Sequence, residues 1–376
     1  MREDKKRTWA EVRLSEIGRN YDAIRDKMPA SCKFMGVVKA DAYGHGAVQL
    51  ARYLESLQCD YLAVACLAEA EELRRAGSKL PILILGVTPF DLAAGLFEYG
   101  LTQTVESPEA ARAYSAAAVR LGKTLKVHYK LETGMGRLGF NVRDGGVSGV
   151  LGALRLPKLE PEGIFTHLAA SDEPEKDAYT KMQFHAFMDA VETITQVSGV
   201  HFAIRHCANS GAVINYPQMS LDMIRPGLAL YGVYPGRETG GISLTPAMAL
   251  RSRIAAVSSH RAGDCVSYGC TFTADRDLRI AVLPIGYADG LHRCLSNKLE
   301  LLVRGTRCRQ IGRICMDMCM ADVTGVPDVQ AGDVATIFGR DGDAVISADE
   351  VARKAGTISY EIFCSLTKRV PRAYIL

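Results

Sequence analysis

Eight apolar strand-like runs alternating with amphipathic helices, followed by a Gly- and Pro-rich break and a series of short strands, predict an α/β protein. The expected fold is a (β/α)8 TIM-type barrel followed by a smaller mostly-β domain. The length of 376 residues agrees, since it exceeds what one hydrophobic core usually serves. The barrel strands are expected at 34–40, 61–66, 81–86, 101–106, 125–131, 163–168, 202–207 and 223–230. Helices at 47–57, 68–76, 109–121 and 178–197 carry apolar residues at three- and four-residue spacing. An open doubly wound sheet is the competing fold, and the strand count favours closure.

The texture changes after Tyr231. Residues 234–246 read as a linker, so the barrel is placed at 1–240 and the second domain at 241–376. Strands are expected there at 253–257, 279–284, 299–303 and 334–338, with one helix opened by a Ser347/Glu350 capping box. The opening MREDKKR reads as a solvated tip.

Apolar residues at 48% and charged residues at 23% are ordinary for a soluble globular chain and exclude a fibrous or disordered one. A formal charge of +3 gives no nucleic-acid footprint. Neither a membrane span nor a signal peptide is recognisable. The eleven cysteines include no CxxC pair, so neither a metal site nor a disulfide framework is expected. Cys66, Cys207 and Cys364 lie in apolar runs, where a thiol packs as a small hydrophobe. A reducing, cytoplasmic compartment follows.

A barrel's chemistry gathers at the C-terminal ends of its strands. VVKADAYGHGA (37–47) places Lys39 at the first mouth, behind an apolar strand that favours a neutral, Schiff-base-forming amine; a lysine snorkelling at the rim is the alternative. VHYKLETGMGRLGF (127–140) contains a formal GxGxxG at Gly134, Gly136 and Gly139. It follows the fifth strand, and 141–146 are poor helix formers, so a nicotinamide-dinucleotide site is disfavoured and the glycines serve to carry Arg137 into the mouth. His167 ends the sixth strand, HCANSG (206–211) the seventh, and RPGLALYG (225–232) the eighth. Ser210 and Gly227 fall in the loops where barrels often hold phosphate, and Arg225 is either an anion clamp or part of a structural ion pair. A phosphate site beside a lysine points to pyridoxal phosphate.

These residues resemble the alanine racemases over essentially the whole chain. VVKADAYGHGA, KLETGMGRLG, HCANSG, DMIRPGLALYG, CVSYGCTF, PIGYADG and GRICMDMCM match that family's landmarks in order. The resemblance implies a homodimer with a shared active site, binding pyridoxal 5'-phosphate and a small amino-acid substrate. Lys39 would carry the cofactor and act as one base, and Tyr268, reaching in from the partner protomer, as the other. Tyr43, Ser210, Gly227, Leu228 and Tyr360 would hold the phosphate. Arg225 would face the pyridine nitrogen with His206 behind it, and His167 would lie near the ring. Arg137 would contact the cofactor's phenolic oxygen and the substrate carboxylate, oriented by Lys130, which is often carboxylated in relatives. Met316 would touch substrate and Asp317 would support the mouth.

Two bases on opposite faces suit racemisation, which removes an α-proton from one side and returns one to the other. A tyrosine, with an ordinary pKa of about 10, needs cationic neighbours to act as a base near neutrality. An arginine at the pyridine nitrogen disfavours its protonation and so argues against an amino-acid decarboxylase, which benefits from an acidic partner there. A serine racemase domain of the vancomycin-resistance type shares the scaffold, but the bulky Tyr360 argues for alanine. A non-catalytic pyridoxal-phosphate-binding barrel would need no second domain. His45, His128 and His185 read as helix or core residues with no role. Met316, Met318 and Met320 alternate as on a half-buried strand. Glu132 stands where the family has aspartate, and an unmodified Lys130 paired with Glu132 is the alternative to carboxylation.

Overall fold

The computed structural model describes residues 7–236 and 241–376, which divide into two compact units. The larger, 17–42 with 47–245, is the barrel. Its strands Lys33–Val37, Tyr61–Val64, Ile82–Ile84, Thr102–Val105, Leu125–Glu132, Leu159–Phe165 and Ile204–His206 pair in parallel in chain order. The eighth, Met223–Ile224, pairs back onto the first through Met223 with Lys33 and Ile224 with Phe34. The remaining seam, between Ile204–His206 and Met223–Ile224, is bridged by the Asp222 amide donating to the Arg205 carbonyl (3.1 Å) and the Arg225 amide to that of Ala208 (2.9 Å). The ring is therefore nearly closed, as expected for buried strands whose apolar runs face both layers.

The helices expected at 47–57, 68–76, 109–121 and 178–197 form at Ala47–Ser56, Leu67–Arg75, Pro108–Leu121 and Asp177–Ser198. Local chemistry sets their ends. Ser107 caps the third by accepting from the Ala110 amide, Pro108 fills its first turn, and Gly122 closes it with a left-handed φ of 65°.

Among the described residues, the smaller unit comprises 7–16, Tyr43–Gly46 and Pro246–Leu376. Its main sheet runs Ala256–His260, Leu278–Leu283, Cys319–Asp322, Thr306–Ile311, Glu300–Val303, Val334–Asp341, Met248–Arg253, Thr8–Arg13 and Arg372–Ile375. All these pairings are antiparallel except the last. Thr8–Arg13 thus belongs to this sheet, and a plain division at 240 does not describe the chain. The strand is held by partners more than 230 residues away, Ala10 opposite Leu250 and Arg372, which no local pattern announces.

Other expectations here are corrected in detail. The strand expected at 253–257 is two, broken at Ile254–Ala255, where the Ile254 amide turns to Asp333. The helix Ala348–Ala355 starts on Ser347, whose hydroxyl accepts from the Glu350 amide, but the Glu350 carboxylate pairs with Arg307 and Lys354 rather than closing a capping box. All eleven cysteines are free thiols; Cys207 is buried, whereas Cys66 and Cys364 sit exposed at helix ends, beyond the strand and at the last helical position. Of the MREDKKR tip, residues 1–6 lie outside the described residues, as do 237–240 of the linker; Arg7 is ion-paired to the buried Asp289 (2.6 Å). Among the described residues no helix is long and apolar enough to cross a membrane, and no cluster of His, Cys, Asp or Glu is arranged to hold a metal.

Candidate active site

The first barrel strand ends at Val37, three residues earlier than the expected 34–40, and Lys39 opens a tight turn of unusual hand. Ala40, Asp41 and Ala42 all lie near φ +50°, ψ +50°, and Tyr43 has φ 52°. A left-handed turn of non-glycine residues costs about 1–2 kcal/mol per residue, so its surroundings must impose it. Glu69 does so with both carboxylate oxygens, accepting the Ala40 amide (2.7 Å) and the Ala65 amide at the next strand's end (2.7 Å). The Asp41 carboxylate accepts the Ala47 amide (2.8 Å), and the Ala42 amide donates to Val38 (2.9 Å).

At the seventh and eighth strand ends the Ser210 hydroxyl, at the start of helix Ser210–Asn215, accepts from the Gly227 amide (2.9 Å) and the Ala229 amide (3.2 Å). Gly227 precedes and Ala229 lies within the 3-10 turn Leu228–Tyr231, so a hydroxyl and the N-termini of two short helical segments converge. Beside them Arg225 is buried. Its guanidinium donates to the Thr166 and Cys207 carbonyls (2.8 and 3.2 Å), to His206 Nδ1 (2.8 Å) and, more weakly, towards His167 Nδ1 (3.3 Å). Burial brings Arg225 down to about 10, and burial together with Arg225 holds His167 and His206 well below the usual imidazole value, so both rings are neutral.

Gly134, Gly136 and Gly139 all have positive φ, of 137°, 71° and 127°, and no helix begins until Gly146. They form a loop rather than a strand-to-helix phosphate turn. A Cβ on Gly139 would come within 2.8 Å of the Lys130 carbonyl oxygen. Glu132 ties the loop down: its carboxylate accepts from the Gly134 amide (2.5 Å) and the Arg137 amide (3.1 Å), and backbone donors hold it below the usual carboxylate range despite partial burial. It is therefore spent on backbone, and no ion pair joins it to Lys130. Lys130 is buried, 5.8 Å from the Phe165 ring, and burial followed by the charges of Arg137 and Arg225 lowers its amine to about 8.

The second unit carries the remaining residues. Tyr43 and Tyr360 pack ring to ring at 5.6 Å, and burial pushes the Tyr43 hydroxyl well up. Tyr268 is not on a strand: it opens a 3-10 turn between the paired strands Cys265–Val266 and Phe272–Thr273 and stands 71% exposed. It lines a cleft of about 590 Å³ together with Met316 and Asp317. The methionine alternation misleads, because the strand begins only at Cys319. Met316 and Met318 are both exposed in a turn closed by the Cys315 amide donating to the Met318 carbonyl (2.9 Å). Asp317 is ion-paired to Arg369 (2.7 Å).

Sequence reading missed three residues. Glu69 shapes the Lys39 turn, and His128 with Glu162 extends the hydrogen bonds behind Arg225: His128 Nδ1 lies 2.8 Å from His206 Nε2, and its Nε2 lies 3.2 Å from Glu162. The available signal was the polar residue at every second position of Lys126, His128, Lys130 and Glu132, which puts one polar face on a buried strand. His45 and His185 remain packing residues beside Phe363 and Phe184.

Two family models cover the chain, the alanine racemase N-terminal domain over 12–235 and the alanine racemase C-terminal domain over 247–374. The chain belongs to the alanine racemase family. It is 44% identical to the alanine racemase of Desulforamulus reducens over 369 residues, covering 98% of each chain. It is likewise 42% identical to that of Methanococcus maripaludis over 369 residues, again with 98% of each covered. Among solved structures, the alanine racemase of Clostridium difficile 630 superposes with a TM-score of 0.94 at 38% identity, covering 99% of this chain and 96% of that one. The racemase architecture of barrel plus β unit is therefore shared from end to end.

Proposed function

We propose that this chain interconverts L- and D-alanine with pyridoxal 5'-phosphate, supplying D-alanine for peptidoglycan. The observation that carries the reading is Arg225: a buried guanidinium among neutral imidazoles and carbonyls, with no carboxylate in ion-pair reach among the described residues. A cation at the pyridine nitrogen leaves that nitrogen unprotonated, which suits racemisation and disfavours decarboxylation.

The donor set fits the cofactor. A lysine amine at a strand end, a hydroxyl among helix-terminal amides and a guanidinium match its aldehyde, phosphate and ring nitrogen. Lys39 would hold it covalently; Ser210, Gly227 and Leu228, with Tyr43 and Tyr360, would bind the phosphate, and His167 would lie against the ring. When bound, pyridoxal phosphate supplies an electron sink for the charge left after α-proton removal. Lys39 Nζ would take or return that proton on one face and the partner subunit's Tyr268 on the other. A tyrosine standing exposed on a hairpin tip suits service in another protomer's site. Arg137 would orient the substrate carboxylate, and Met316 would shape the substrate's surroundings.

Two results follow for this site. Ser210→Ala is expected to weaken cofactor binding about tenfold, the scale of one hydrogen bond to a charged group, read by absorbance titration of the apoenzyme. Lys130 becomes a neutral amine above about pH 8, and only the neutral amine adds carbon dioxide. In [13C]bicarbonate a carbamate resonance is thus expected to grow between pH 6 and pH 8 and to be missing in Lys130→Met. That carboxylate would offset the adjoining Arg137 and Arg225 charges.

The function itself is tested by chiral product assay on L-alanine and L-serine separately, with added cofactor. D-alanine forming much faster than D-serine is the expected result. Comparable D-serine would move the assignment to a serine racemase, and neither product would defeat the racemase reading.

A further inference from the structure

Arg225 is a buried cation with no ion-pair partner among the described residues, and its hydrogen bonds lead through two imidazoles to the Glu162 carboxylate. Glu162 accepts from Tyr61 Oη (2.5 Å), Lys126 Nζ (2.7 Å) and His128 Nε2 (3.2 Å). Although burial opposes ionisation, these three donors hold the carboxylate down at about 2. An ionised carboxylate only accepts, so His128 carries its proton on Nε2. Burial keeps His128 and His206 neutral, and a neutral imidazole has a single N–H. His128 Nδ1 is then a lone pair and accepts from His206 Nε2 (2.8 Å), which leaves His206 Nδ1 as the lone pair that accepts from Arg225 (2.8 Å). Every link has the same polarity, from guanidinium to carboxylate.

The packing holds both rings in register. A Cβ on Gly163 would come within 2.7 Å of the His128 ring, so only glycine leaves room for it there. Phe165 stacks on His206 at 4.6 Å with planes 6° apart.

We propose that Glu162 and His128 are positioning residues for racemisation: the Glu162 carboxylate, itself ion-paired to Lys126, orients both imidazole protons so that His206 presents a lone pair to the Arg225 guanidinium. The proposal deepens the reading of Arg225 above and rests on it. Neither residue touches substrate. In Glu162→Gln an amide N–H turned to His128 would reverse the relay and set a His206 N–H against the guanidinium N–H groups.

The test uses 15N-histidine-labelled holoenzyme, reading imidazole tautomers by NMR, with steady-state kinetics on alanine. Wild type is expected to hold His128 and His206 as Nε2–H tautomers. Glu162→Gln is expected to give a mixed or reversed pair, with kcat lowered tenfold to a hundredfold, the usual cost of removing a carboxylate behind a histidine at a metal site, and KM within twofold. A wild-type His206 protonated on Nδ1 overturns the proposal even if the variant fails to fold, and so does a variant with unchanged tautomers and kcat. A wild type that binds the cofactor but does not racemise alanine defeats the functional reading instead, and the tautomers still decide the relay.

Discussion

Lys39→Ala is expected to abolish racemisation in both directions, by at least about ten-thousandfold, the scale on which removal of a covalent nucleophile acts. It should also lose the visible absorbance of the covalently held cofactor after gel filtration. On the function proposed above, two roles converge on this amine, so the two losses should come together. The substitution removes a side chain that is neither core nor cap, and the turn that follows is held by Glu69, Asp41 and Val38 through backbone amides. The fold should therefore survive, with a melting temperature near that of wild type. A variant that kept its absorbance would show that another group bears the cofactor.

Tyr268→Phe should separate the two faces of the reaction. It deletes a single hydroxyl from a residue that is 71% exposed in its own protomer, so the fold of that protomer should be little affected. Cofactor absorbance should be retained while racemisation falls by about 10²–10⁴, the usual contribution of a positioned acid or base. Solvent exchange of the α-hydrogen is the more telling measurement. The enantiomer whose proton faces Lys39 should still exchange, while its mirror image should not. Equal exchange of both enantiomers would refute a two-base division of labour.

Much of this was legible in the sequence, for identifiable reasons. Eight strands could be placed because burial on both faces leaves an apolar run that needs no partner to be recognised. The Gly134–Gly139 loop could be separated from a nucleotide fold because helix-forming residues do not follow it, whereas Arg225, expected inside a strand at 223–230, lies just beyond the strand Met223–Ile224. What escaped depends on long-range or conformational facts. Residues 8–13 become a strand through neighbours at Met248–Arg253 and Arg372–Ile375. The left-handed turn at Ala40–Tyr43 is written in ordinary residues, and backbone amides donating to Glu69 and Asp41 help hold it there. His128 resembled a satisfied core histidine, and it is satisfied, but by Glu162 and His206, which gives it a direction as well as a partner. The alternation of Met316, Met318 and Met320 carried a strand's period through a turn and into the first residues of a real strand.

The placement of Thr8–Arg13 has a consequence for how the molecule is made. It leaves the ribosome well before either of its neighbours. At about 5–20 residues per second, the antiparallel neighbour beginning at Met248 emerges roughly 10–50 s afterwards, and Arg372–Ile375 later still. During that interval the strand has two bare edges and no sheet to join, while the barrel residues behind it are free to assemble. The nascent chain thus trails an unpaired hydrogen-bonding edge until those partners follow. Its β sheet gains its full set of neighbours for Thr8–Arg13 only once Arg372–Ile375 has followed.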